Sequence, residues 1–138
     1  MKKPIIATNL DGFLIKHQAF IEPHKSWFEK AAIMASDKSL KDWIGKPNYF
    51  KGVDIAMNKI MPHASRDKKI SLAREWYQSM VVDYILKNPE VVYKKVANFL
   101  KNLKSKFSLV LITEMSINYA NDILDAAGLS DVYDIVFA

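Results

Sequence analysis

The stretch Ile5-Ile6-Ala7-Thr8-Asn9-Leu10-Asp11-Gly12-Phe13-Leu14 sets an amide and a carboxylate at the end of a short apolar run. Asp11 lies two residues past that run, free to project into a crevice and to exchange a proton. Gly12 permits a tight turn and lets backbone N–H groups approach an anion. A second loaded position follows another apolar run, Phe107–Ile112. Thr113 supplies a hydroxyl donor there, and a helix starting just after it adds further N–H groups. Leu10, Gly12, Thr113 and Glu114 are therefore the candidate phosphate-binding positions. Glu114 reads first as a residue favoured by a helix N-terminus, because a carboxylate beside a phosphate is repelled unless a metal intervenes. Singly, an Asp-Gly after a strand is a turn and a Thr at a strand end is a cap. Their joint placement, with a long helical insert between them, is what suggests a site.

The elements that must position these residues follow from periodicity. Residues 4–9 read as a buried parallel strand, residues 107–112 as a second, and residues 133–138 as a third. Between the first two, residues 20–88 read as helical throughout. Pro23 fits the first turn of a helix with Trp27, Phe28, Ala31, Ala32 and Ala35 on one side. Ser39 is the expected cap of a short helix, stopped by Gly45 and Pro47. Residues 49–61 form the third piece, and Ser65 caps a long fourth with Ile70, Ala73, Trp76, Tyr77, Met80, Val81 and Tyr84 inward. Asn88-Pro89 starts a helix with Val92, Val96, Phe99, Leu100 and Leu103 on its apolar side. Ser116 caps a last helix that Gly128 closes. The order strand, helical insert, helix, strand, helix, strand implies a parallel α/β sheet. An insert after the first strand belongs at the C-terminal sheet edge, where such folds bind ligands.

Composition narrows the classes. The chain has 138 residues, half of them apolar, and no cysteine, which excludes disulfides and thiol chemistry. The N-terminal apolar run is too short and polar for a signal peptide or membrane span, so a cytoplasmic protein is the default. The net charge is +5, concentrated in residues 16–88, with 13 Lys or Arg against 8 Asp or Glu. No basic run exceeds three residues and acids are interspersed, so a solvated surface is favoured over nucleic-acid binding. His17, His24 and His63 show no metal spacing. His17 is close enough to the first loop to enter a pocket, but reads as a surface residue. Lys94, Lys95 and Lys104 read as solvated helix residues, and Tyr49 or Phe50 as the insert's substrate-selecting aromatics.

Asn9-Leu10-Asp11-Gly12-Phe13-Leu14 resembles the Asp-x-Asp-Gly-Thr/Val-Leu motif of the haloacid dehalogenase-like superfamily. Leu109–Thr113 is similar to its second motif, and Gly128–Val136 to the stretch before its third strand. The resemblance implies a Rossmann-like parallel sheet with helices on both faces, formed by residues 1–15 and 89–138, plus an all-helical cap at residues 16–88. It also implies a phosphatase of aspartyl-phosphate type acting on a small phosphorylated substrate. Asn9 stands at the nucleophile position and Asp11 at that of the general acid/base. Both would bind Mg²⁺, Asp11 through its carbonyl, and Thr113 would hold phosphoryl oxygens.

Two departures accompany this resemblance. Asn9 has no anionic oxygen with which to attack phosphorus, and it weakens a metal site; Phe13 is a lesser oddity. The family's third and fourth motifs, and the strand beside the first, are expected beyond Ala138. Little or no turnover is expected, with Mg²⁺ weak or absent. The alternatives are a truncated phosphohydrolase, a sheet completed by a second chain, a rearranged fold, or a non-catalytic protein that binds a phospho-ligand or a partner.

Overall fold

The computed structural model describes residues 2–138. Three apolar runs form its sheet: β1 (Ile5–Thr8), β2 (Ser108–Ile112) and β3 (Ile135–Phe137). All pairs are parallel in the order β1-β2-β3, with Thr8 opposite Leu111 and Ile112 opposite Phe137. Parallel strands need crossover connections. Five α-helices occur among the described residues: α1 (Gln18–Met34), α2 (Tyr49–Ile60), α3 (Arg66–Lys87), α4 (Lys94–Leu103) and α5 (Ile117–Ala126). The fold is thus the parallel α/β arrangement that the alternation implied.

The chain divides into two compact units. The α/β unit comprises the chain up to Phe20 together with Val82–Ala138. Leu109, Leu111, Ala120, Ile123, Leu129 and Val132 are among its fully buried residues. Leu109 and Leu111 lie on β2, Ala120 and Ile123 on one stripe of α5, and Leu129 and Val132 in the turns after it. Along the sheet, paired residues share a face. Ile5 (70 % exposed), Ile112 (57 %), Ile135 (51 %) and Phe137 (64 %) stand on the face opposite to Leu109 and Leu111. The helical unit, Ile21–Val81, has its own core of Trp27, Phe28, Ala31, Ala32, Leu40, Ala56, Met57 and Ala73. The Trp27 indole N–H donates to Ala73 O at 3.0 Å, which satisfies the one polar atom of a buried ring. Gly52 packs against the Trp43 ring so closely that a Cβ has no space.

Several helix boundaries differ from expectation for local reasons. Pro23 lies inside α1 rather than in its first turn, because the helix already begins at Gln18. The cap of the 3-10 turn Lys38–Trp43 is Asp37, not Ser39: the Asp37 carboxylate accepts from Ser39 N–H and Oγ. Lys59 also bonds this carboxylate, and with Ser39 it holds the pKa down to about 2. Asn88 turns back to donate to Tyr84 O at 2.9 Å and does not cap α4. Pro89–Val91 is a 3-10 turn, Val92 bridges Ile15, and α4 begins only at Lys94. Ile70 and Phe99, expected inward, are exposed. The caps Ser65 and Ser116 form as expected, accepting from Lys68 N–H and Tyr119 N–H. Gly128 takes a left-handed φ of 70° just past α5.

Candidate functional site

Asn9 lies one residue past the Thr8–Leu111 pair, and Thr113 lies two residues past it on the neighbouring strand. Adjacent strands run about 4.8 Å apart, so both loops leave the same sheet edge side by side. Each is anchored at its base. Thr113 N–H donates to Phe137 O at 2.9 Å, which extends the β2–β3 pairing. The Thr8 hydroxyl meets the Tyr133 hydroxyl at 2.5 Å, immediately before Asn9. Burial pushes the Tyr133 phenol pKa up, so this group stays neutral.

The first loop folds on itself. Leu10 is buried, and its carbonyl accepts from the N–H groups of Phe13, Leu14 and Ile15. Gly12, at φ 78°, donates its own N–H to Ile15 O at 2.7 Å. Only glycine takes that backbone conformation without strain. The Gly12 N–H, expected to face an anion, is therefore consumed by the turn, whereas those of Leu10 and Asp11 are not used by it. Ile15 in turn bridges Val92, flanked by Lys16 N–H to Val91 O and Tyr93 N–H to Leu14 O, both 2.8 Å. The loop is stitched to the 3-10 turn before α4, an anchor with no local sequence signal.

Asp11 is gripped by its neighbours. The Asn9 carboxamide nitrogen donates to the Asp11 carbonyl at 3.2 Å. His17 Nδ1 lies 2.9 and 2.8 Å from the two Asp11 carboxylate oxygens. His17 was read as a surface residue; it is exposed, yet it is the direct partner of the candidate acid/base. Its closeness to the first loop in the chain was the one signal, and six residues of irregular loop gave no pattern that tied it to Asp11 in particular. In the second loop the Thr113 Oγ1 accepts from Met115 N–H at 3.1 Å, which leaves its O–H proton to donate elsewhere. Glu114 is exposed and lies before the Ser116 cap, so it stands outside α5.

Mg²⁺ requires several hard oxygen ligands in near-octahedral array. Among the described residues, no three His, Cys, Asp or Glu side chains gather to hold a metal. The Asp11 carbonyl that the resemblance assigns to the cation is bonded instead to the Asn9 amide nitrogen. The residues present do not fit Mg²⁺. No described helix is long and apolar enough to cross a membrane.

No family model and no curated protein matches the sequence. Solved structures do match the fold. One, from Bacillus subtilis, is described as the HAD-hydrolase YfnB bound to magnesium; it has a TM-score of 0.58 and 14 % identity over 99 % of this chain and 65 % of that one. A protein from Thermotoga maritima described as a β-phosphoglucomutase gives 0.58 and 19 %, over 97 % and 60 %. The β-phosphoglucomutase of Clostridium difficile gives 0.54 and 20 %, over 99 % and 61 %. This chain spans less than two thirds of the length of each of these structures. At such identities the likeness is one of fold.

Proposed function

On this haloacid dehalogenase-like fold, we propose a phosphohydrolase site that recognises a small phosphorylated molecule and is silenced at its nucleophile position, Asn9. The reading rests on one observation: β1 and β2 pair in parallel, and Asn9 and Thr113 follow them in adjacent loops. The Thr113 hydroxyl and the N–H groups of Leu10 and Asp11 are the proposed donors to phosphoryl oxygens. These are hydrogen bonds to a charged acceptor, the stronger class. A carboxylate at position 9 would attack phosphorus while the ester oxygen leaves with the Asp11 proton. Water would then cleave the acyl phosphate, giving its proton to Asp11. An amide cannot open that sequence, because its nitrogen lone pair is delocalised and its oxygen is neutral. The helical unit, which interrupts the chain after this loop, is the proposed substrate-selecting insert.

The bond between the Asn9 amide and the Asp11 carbonyl favours a second reading, a binding protein that holds a phospho-ligand without chemistry or metal. The exposed Ile5 at the β1 edge favours a further segment, continuous or from a second chain, that completes the sheet. One experiment separates the silenced enzyme from the binding protein. Phosphate release from p-nitrophenyl phosphate is measured with Mg²⁺ for the wild type and Asn9→Asp. The silenced site predicts no turnover for the wild type, and a gain for the variant in a full-length chain that also carries the family's later motifs. Turnover by the wild type overturns the assignment of Asn9. Phosphate binding without turnover in both proteins selects the binding protein.

A further inference from the structure

We infer that His17 is a positioning residue for Asp11: it holds the Asp11 carboxylate aside so that an anion can enter the loop. The inference rests on the phosphate-site reading above and adds a residue to it. Three groups of Asp11 are fixed separately. Its backbone bridges Ile15, its carbonyl accepts from Asn9 Nδ2, and its carboxylate faces His17 Nδ1 with both oxygens. Two bare acceptors do not face each other at 2.8 Å, so one proton is shared between Nδ1 and the carboxylate. The backbone contacts fix where the Asp11 side chain starts, and His17 alone among the described residues fixes where its charge ends. That charge matters because the same loop carries the Leu10 and Asp11 N–H groups proposed to bind phosphate. A free carboxylate swinging over these donors repels a phosphate dianion. The imidazole therefore acts by occupying the carboxylate. At 64 % and 38 % exposure for the His17 and Asp11 side chains, the effect is that of a solvent-screened pair, a few-fold in affinity.

The test is titration of the wild-type chain with inorganic phosphate, without Mg²⁺, followed by calorimetry and by the amide resonances of Leu10–Gly12. His17→Ala is expected to weaken binding about two- to five-fold, and His17→Asn, which keeps a donor near Nδ1, to restore it. The decisive arm is Asp11→Asn combined with His17→Ala. With the carboxylate neutralised, loss of His17 should cost nothing, an outcome that a merely structural role for His17 does not produce. Equal losses with and without Asp11, or no loss in His17→Ala, overturn the inference while leaving the phosphate site intact. Thr113→Val separates the two ideas, since it must weaken phosphate binding whatever His17 does. A wild-type chain that ignores phosphate overturns the site and this inference together.

Discussion

Leu111 and Ile112 are neighbours on β2 with nearly the same side-chain volume and hydrophobicity. Leu111 is fully buried, whereas Ile112 is mostly exposed. The contrast extends across the sheet. Leu109 and Leu111 line a closed face; on the other, Ile5, Ile112, Ile135 and Phe137 are exposed although Val110 between them is buried. Alternation along a strand sends successive side chains to opposite faces, so the difference is one of face and not of residue. Apolar character alone does not make a core; a covering layer does.

The largest expected effect sharpens this contrast. Leu111→Ala should destabilise the α/β unit by about 2–5 kcal/mol, the cost of a lost core side chain plus its cavity. Ile112→Ala should stay within about 0.5 kcal/mol, as for surface substitutions. Urea midpoints at constant m-value measure both. Equal losses would break the comparison and mean that the open face is covered in solution. A smaller effect follows from Phe137→Lys. It should leave the thermal midpoint within a few degrees and reduce any self-association seen by sedimentation velocity. A large fall in stability would place Phe137 in a core after all.

The smallest effect concerns the end of the sheet. Asp134 Oδ2 accepts from Leu109 N–H at 2.8 Å, and Lys104 Nζ lies 3.6 Å from its other oxygen. The Leu109 bond first, and then the Lys104 charge, hold this carboxyl below its ordinary value of 3.8. As pH falls, the unfolded chain takes up this proton before the folded chain does. The contribution is therefore present in full above pH 3.8 and is lost as pH drops through the folded pKa. Acid unfolding of Asp134→Asn should lack this component, and an unchanged acid limb would show that the bond contributes nothing.

Much of the framework was legible. The three strands, the Ser65 and Ser116 caps and the closing Gly128 are local signals and each formed, but the first strand, read as buried, lies at the sheet edge with Ile5 exposed. The failures share a cause. Asp37 displaced Ser39 as a cap because its carboxylate reaches both the Ser39 N–H and Lys59, which lies 22 residues away. Asn88 left its expected cap for the Tyr84 carbonyl. Ile70 and Phe99 fitted a helical period but fell on its margin, where a few degrees of helix rotation separate core from solvent.

By itself the sequence determined the elements and the chemistry on offer. An amide at position 9 offers phosphorus no anionic oxygen in any fold, and strands alternating with helices demand crossovers and a parallel sheet. These follow from covalent structure and local periodicity. Only the tertiary structure decided which sheet face is closed, that the Gly12 N–H is consumed by Ile15, and that His17 faces Asp11. Those outcomes depend on through-space partners whose spacing in the chain is irregular. Each is an energy difference between competing contacts, and no local pattern encodes which contact wins.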